Sequence, residues 1–326
     1  MKPFKMAQPT TVKGAISVLG ETPNETPVLA GGTDLLGEIK EGVRSPSMVV
    51  NIKSIPGMRQ VKATARQIEI GALVTLSDLM ENADIQKALP ALVETIRKTA
   101  ATQIRNNATV GGNLCQRPRC WYYRDSSFNC LKKGGELCYA REGEHEYHAI
   151  FDNATCNMVH PSNLAPVFIA HDASFEVTGP DGTESIPAAE FFISPEEEIT
   201  AETILMPQQV LTRVIIPAKG LGGRASYIET REKQSFDWAL AGATVRLERD
   251  AGKVTAARVV LSAVAPTPLR RGDLEAMLVG KSVSEKLIGK VCEAAVKEAT
   301  PLEQNGFKTS LVKAVLRRAL RAVTKG

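Results

Sequence analysis

Apolar residues recur at spacings of three and four over residues 284–299 and again over residues 309–323, the period of a helix with one buried face. Just before them, residues 239–249 and 254–264 form two apolar runs separated by a turn around Asp250 to Gly252, which predicts an antiparallel hairpin. The C-terminal third therefore reads as a sheet with a small helical layer against it. The N-terminal part alternates instead. Its pattern predicts a helix over residues 11–19, a strand over 27–30, a Gly-Gly turn, a helix starting at Thr33 and a strand over 48–51. Paired strands follow around 61–73, then helical periodicity from 76 to about 98, and a strand near 210–216. The run Pro-Ala-Lys-Gly-Leu-Gly-Gly from Pro217 marks a domain boundary, giving an α+β layout with domains over 1–217 and 218–326.

One stretch, from Cys115 to about Pro161, follows neither period. It is polar and holds five of the six cysteines, Cys115, Cys120, Cys130, Cys138 and Cys156, within 42 residues. It reads as a loop insert (115–160) that needs support from outside itself, such as a bound cluster. The start Met-Lys-Pro-Phe-Lys-Met leads into no apolar signal core, and no run approaches the roughly 18 apolar residues of a membrane helix. A cytoplasmic chain with no membrane contact is expected, and in that reducing compartment clustered thiols are metal ligands or redox groups before they are disulfides. At 326 residues, 43% hydrophobic and 23% charged, the composition is that of an ordinary globular protein. The net charge of +4 is too slight to argue for nucleic acid, and no such partner is expected.

Two short motifs carry candidate chemistry. Leu29-Ala30-Gly31-Gly32-Thr33-Asp34-Leu35 lies between a predicted strand and helix, where paired glycines let backbone N–H groups converge on a phosphate. A tight strand-to-helix turn with no ligand is the alternative. Thr109-Val110-Gly111-Gly112-Asn113 repeats the chemistry about eighty residues later, so two loops are available for the two ends of a dinucleotide. Neither has the GxGxxG spacing of a Rossmann fold.

Ala30 to Leu36, Ile70-Gly71-Ala72, Gln103-Ile104-Arg105 leading into Ala108 to Cys115, and Ser162-Asn163-Leu164-Ala165-Pro166 together resemble the FAD-binding medium subunit of the xanthine oxidase family of molybdenum hydroxylases. Lys2-Pro3-Phe4, Phe236-Asp237 and the segment 268–280 extend the resemblance over nearly the whole chain. It implies a two-part FAD-binding domain of the vanillyl-alcohol-oxidase/PCMH type followed by a C-terminal α+β domain. Carried across by motif, Leu29 to Leu35 and Thr109 to Asn113 would bind FAD, with Asn163 and Leu211 beside it. Two positions depart from the family: Asn163, where many relatives have Asp, and Glu229, where relatives commonly have Lys.

Most such subunits run directly from the Gly-Gly-Asn loop to the Ser-Asp-Leu segment, so the cysteine insert narrows the resemblance to the FAD subunit of 4-hydroxybenzoyl-CoA reductase. There the insert holds a [4Fe-4S] cluster. Cys115 belongs to the flavin loop, which leaves Cys120, Cys130, Cys138 and Cys156 as four ligands. Their spacings contain no CxxC pair, though a zinc site, or free or disulfide-bonded thiols, stay open. His145, His148 and His160 are near enough in sequence to replace a thiolate but are expected beside the ligands or at the surface. Cys292 reads as a buried small hydrophobe. The partners implied are a large molybdopterin subunit and a small subunit with two [2Fe-2S] clusters, in a dimer of heterotrimers. The implied reaction is reductive dehydroxylation of an aromatic acyl-CoA, with ferredoxin as donor. The alternatives are a hydroxylase passing electrons outward and a stand-alone flavoprotein with structural zinc. No catalytic acid, base or nucleophile is identifiable.

Overall fold

The computed structural model describes residues 1–22, 25–233 and 236–324. Three sheets organise it. A small parallel sheet has the order Lys5–Ala7, Met48–Asn51, Val28–Leu29. A five-stranded antiparallel sheet has the order Val61–Ala63, Gln67–Gly71, Val210–Pro217, Ser174–Gly179, Gly182–Pro187. The third is antiparallel, in the order Leu269–Arg270, Lys253–Ser262, Ala239–Asp250, Arg224–Arg231.

The five-stranded sheet buries Ile68, Ile70, Phe175 and Val214 against the wholly buried helix Leu164–Ala170 and the helices over residues 76–98. The C-terminal sheet buries Val245, Val259 and Leu261 against Val315, Leu316 and Ala319 of the helix Lys308–Thr324. Each such side chain contributes roughly 1.5–3 kcal/mol when fully buried. The helix Leu164–Ala170 also packs on the strands Ala239–Asp250 and Lys253–Ser262, so it joins the two cores.

Several expectations need refinement. The helical pattern over 76–98 is three helices, Leu76–Glu81, Ala83–Ala88 and Pro90–Lys98. Asn82 Oδ1 accepts from Ile85 N–H at 3.1 Å and starts a new helix, and Pro90, which has no N–H, can only begin one. The second helix begins at Leu35, not Thr33. The hairpin Ser174–Gly179 and Gly182–Pro187, the strand Arg224–Arg231 and the helix Gly272–Leu278 were not anticipated.

The cysteine insert contains only the short helix Trp121–Arg124 and one 3-10 turn, Leu131–Lys133. Its support is the C-terminal domain rather than a ligand alone. Ile150 and Phe151 enter the second core. Asn305 Nδ2 donates to the carbonyls of His145, His148 and Ala149 at 3.2–3.3 Å. The buried Lys308 ammonium donates to those of Tyr147, His148 and Ala263 at 2.8–3.2 Å. No helix among the described residues is long and apolar enough to cross a membrane.

Candidate functional site

The two glycine loops meet. Gly31 makes this possible, since a Cβ there would lie 2.0 Å from the Asn107 carbonyl oxygen at the root of the second loop. Gly32, at φ +77°, occupies the left-handed region that L side chains avoid. Between the loops and the five-stranded sheet lies a cavity of about 280 Å³, lined by Ala30 to Leu35, Thr109, Gly111, Gly112, Ala72, Leu73, Cys115 and Leu211. Among the expected residues, Leu29 and Val110 are buried behind its wall. Asn113 also stands back, its Oδ1 accepting from the Ser162 hydroxyl at 2.7 Å.

The loops differ in what they offer. The second spends its amides internally: Val110 N–H goes to Val74 O at 3.0 Å, Gly111 N–H to Ala72 O at 2.8 Å and Gly112 N–H to the Thr109 hydroxyl at 3.1 Å. Its glycines serve close approach, because a Cβ at Gly111 would press on Ala72 at 3.0 Å. The first loop opens the helix Leu35–Lys40 and runs along the cavity wall from Ala30 to Leu35, while the N–H groups of Leu36 and Glu38 are taken by Gly32 O and Asp34 O at 3.2 Å. Asp34 turns toward the cysteine insert, meeting the side chains of Arg119 and Arg124 and accepting from Arg117 N–H at 2.7 Å. Burial would raise its pKa, but the two guanidinium charges and the N–H outweigh it and hold the carboxylate below its usual range.

Asn163 lies away from this cavity and touches the other family departure. Its amide donates to Glu229 Oε2 at 3.1 Å and to the Tyr227 hydroxyl at 3.3 Å, while Tyr227 donates to the same carboxylate at 2.6 Å. Arg231 pairs with Glu229 from the other side.

Cys120, Cys130, Cys138 and Cys156 line a second, smaller cavity, together with Tyr122, Tyr123, Lys132, Tyr139, His148 and Met158. Cys115 is in the first cavity, not here, and burial lifts its thiol to about 12. Backbone N–H groups aim at the sulfurs: those of Tyr122 and Tyr123 at Cys120, of Ala140 and Asn157 at Cys138, and of Met158 at Cys156. The Asn157 side chain adds a donor to Cys138 at 3.3 Å. A hydrogen bond between the side chains of Cys138 and Cys156 lowers the Cys138 thiol to about 5 and raises that of Cys156. Burial lifts Cys120 to about 11, against its two N–H donors. Among the described residues, no three His, Cys, Asp or Glu side chains are grouped to grip one metal ion. An aromatic shell of Trp121, Tyr122, Phe128, Tyr139 and His148 closes the outer side, with ring centroids 5.0–6.3 Å apart.

The histidines separate clearly. His148 Nε2 lies 3.2 Å from Cys120 Sγ, and its ring is held neutral by burial, with a pKa lowered to about 4. His145 is committed to Ala140 O and Gln304 N, and His160 packs on Phe192. Cys292 is buried in the helix Glu285–Ala294, as its apolar setting suggested.

A buried polar wall divides the cavities, and sequence reasoning missed it. Glu38 and Glu202 line the first cavity, Tyr123 and Lys132 the second. Tyr123 donates to Glu38 Oε1 at 2.6 Å. Lys132 Nζ and Arg117 Nε lie 2.8 and 2.7 Å from the two oxygens of Glu202, ion contacts without hydrogen-bond alignment. These charges are scattered along the chain in ordinary polar surroundings and leave no pattern to read.

Residues 2–219 match the family model of the FAD binding domain in molybdopterin dehydrogenase, and residues 225–323 that of the CO dehydrogenase flavoprotein C-terminal domain. The chain is 31% identical to the aldehyde oxidoreductase FAD-binding subunit PaoB of Escherichia coli (strain K12), over 90% of this chain and 89% of that one. It is 27% identical to the carbon monoxide dehydrogenase medium chain of Hydrogenophaga pseudoflava, over 98% and 96%. A solved structure of carbon monoxide dehydrogenase from that organism superposes with a TM-score of 0.78 at 27% identity, covering 99% of this chain and 98% of the other.

Proposed function

Because the chain belongs to the FAD-binding medium subunits of the molybdenum hydroxylases, we propose that it is the electron-carrying subunit of such a complex, with FAD in the first cavity and a [4Fe-4S] cluster in the second. The observation that carries the cluster is the convergence of Cys120, Cys130, Cys138 and Cys156 on one cavity, with backbone N–H groups aimed at three of the sulfurs. N–H donors stabilise thiolates, the form that ligates metal. A cube of four irons and four sulfides takes its ligands at separated corners, whereas zinc requires four sulfurs at about 2.3 Å from one centre. When bound, FAD handles two electrons and the cluster one at a time.

The residues of the chain position these groups. The first loop runs its backbone along the cavity wall where a pyrophosphate would lie, Gly31 and Gly32 remove side chains from its path, and Leu211 closes the cavity with an apolar face. Asn163 and Glu229 form a neutralised pair with Arg231 outside that cavity. Substrate chemistry takes place on a large molybdopterin subunit, and a small subunit with [2Fe-2S] clusters completes a heterotrimer that pairs into a dimer.

The names of the relatives above favour a hydroxylase that oxidises a small carbonyl compound such as an aldehyde and sends electrons outward. The four-cysteine insert alone favours the second reading, reductive dehydroxylation of 4-hydroxybenzoyl-CoA with electrons from ferredoxin. Anaerobic purification of the complex tests the reading. One FAD, with four irons and four labile sulfides beyond those of the small subunit, is expected, together with aldehyde-dependent reduction of an artificial acceptor. Zinc in place of iron and sulfide would overturn the cluster, and turnover of an aromatic acyl-CoA but no aldehyde would select the second reading.

A further inference from the structure

The wall between the cavities is built from ionised groups, although apolar residues would seal it at less desolvation cost. Lys132 is 2% exposed at its side chain and lines the thiol cavity. Besides its ion contact with Glu202, it donates to the carbonyls of Ile199 and Ala201 at 2.9 and 3.0 Å, and these hydrogen bonds fix the charge in place. Glu202, 3% exposed at its side chain, divides its two oxygens between Lys132 and Arg117. Arg117 in turn lies over the ring of Tyr123, 5.2 Å from its centroid, and that ring lines the thiol cavity. The trio carries a net charge of +1 and touches both cavities.

We propose that Lys132, held by Glu202 and Arg117, is a positioning residue that sets the reduction potential of the thiol-bound centre and ties it electrostatically to the occupancy of the dinucleotide cavity. This rests on the iron-sulfur reading of the four cysteines. Reduction adds one electron to a centre already made negative by four thiolates. A fixed positive charge at the cavity wall therefore favours the reduced form, more strongly in a buried setting than in water. Glu202 opposes that effect and also faces the dinucleotide. Binding there changes the balance within the trio, and by reciprocity reduction of the centre changes dinucleotide affinity.

The test is an EPR-monitored redox titration of the assembled complex for wild type, Lys132→Met, Lys132→Arg and Glu202→Gln, with iron and labile sulfide measured in each. The expected order is a lowered midpoint in Lys132→Met, a near-wild-type value in Lys132→Arg and a raised one in Glu202→Gln. Removal of FAD is expected to shift the wild-type midpoint and to shift that of Lys132→Met less. Unchanged midpoints in variants that keep full iron would overturn the inference and leave the cluster standing. A wild type without cluster iron would instead remove the reading beneath it. If Lys132→Met fails to hold iron, the sign of the Glu202→Gln shift decides.

Discussion

The two cavities are neighbours built on opposite principles. The first is made by backbone and by missing side chains: Gly31 and Gly111 let segments abut, Gly32 turns the chain, and the lining is mostly apolar. The second is defined by side chains, four thiols from an irregular insert with almost no secondary structure, with backbone N–H groups in support. The first is intrinsic to its domain, whereas the second depends on a distant partner, because Asn305 and Lys308 of the C-terminal domain fix the insert. A backbone site tolerates changes around it and fails when a glycine gains a side chain. A side-chain site fails with any ligand, and weakens when its remote support goes.

The largest effects should therefore be crossed ones. Replacing Cys120, Cys130, Cys138 or Cys156 by Ala is expected to abolish cluster iron while FAD stays near one per chain, and Cys115→Ala to keep the iron; flavin absorbance and iron analysis measure both. Gly31→Val, whose Cβ would meet Asn107 O at 2.0 Å, should release most of the FAD and leave the cysteine-bound iron in place. Loss of both groups in either variant would break the contrast.

A smaller effect is expected from Asn305→Ala, which removes three buried hydrogen bonds to the insert. The two N–H donors are shared among three carbonyls, so at about 1 kcal/mol per donor roughly 2 kcal/mol should be lost in chemical denaturation, with faster proteolysis within residues 115–160 but not in the glycine loops. The smallest concerns pH. Burial pushes the Lys308 ammonium down to about 7 from an ordinary 10.5, while its three carbonyl acceptors favour the charged form. Between those values the unfolded chain binds more protons, so stability rises from about pH 7 toward pH 10. Lys308→Met should flatten that slope in denaturation curves taken across the window.

The same contrast governs what was legible. The glycine loops, the hairpin of the C-terminal sheet and its two main helices were readable because each rests on local pattern: a doublet, a turn or a period. The hairpin across Gly179-Pro180-Asp181-Gly182 carries a turn signal of its own, but its strand Gly182–Pro187 is largely exposed and lacks an apolar run. Asn82 and Pro90 likewise announced the breaks in the 76–98 helix. The clustering of cysteines was plain. Their docking on Asn305 and Lys308 was not, because single polar residues more than a hundred positions away leave no periodicity. The pairing of the second loop's amides with Ala72 and Val74 was not legible either, because a long-range backbone contact leaves no local pattern.

The contact between Asn163 and Glu229 limits which residues the two positions accept. Restoring aspartate at 163 alone would set two carboxylates against each other where an amide now donates at 3.1 Å. Restoring lysine at 229 alone would place an ammonium beside Arg231, which now pairs with Glu229. Each single change creates a charge conflict in a buried setting, so the two positions constrain each other and a substitution at one is tolerated only with a matching one at the other.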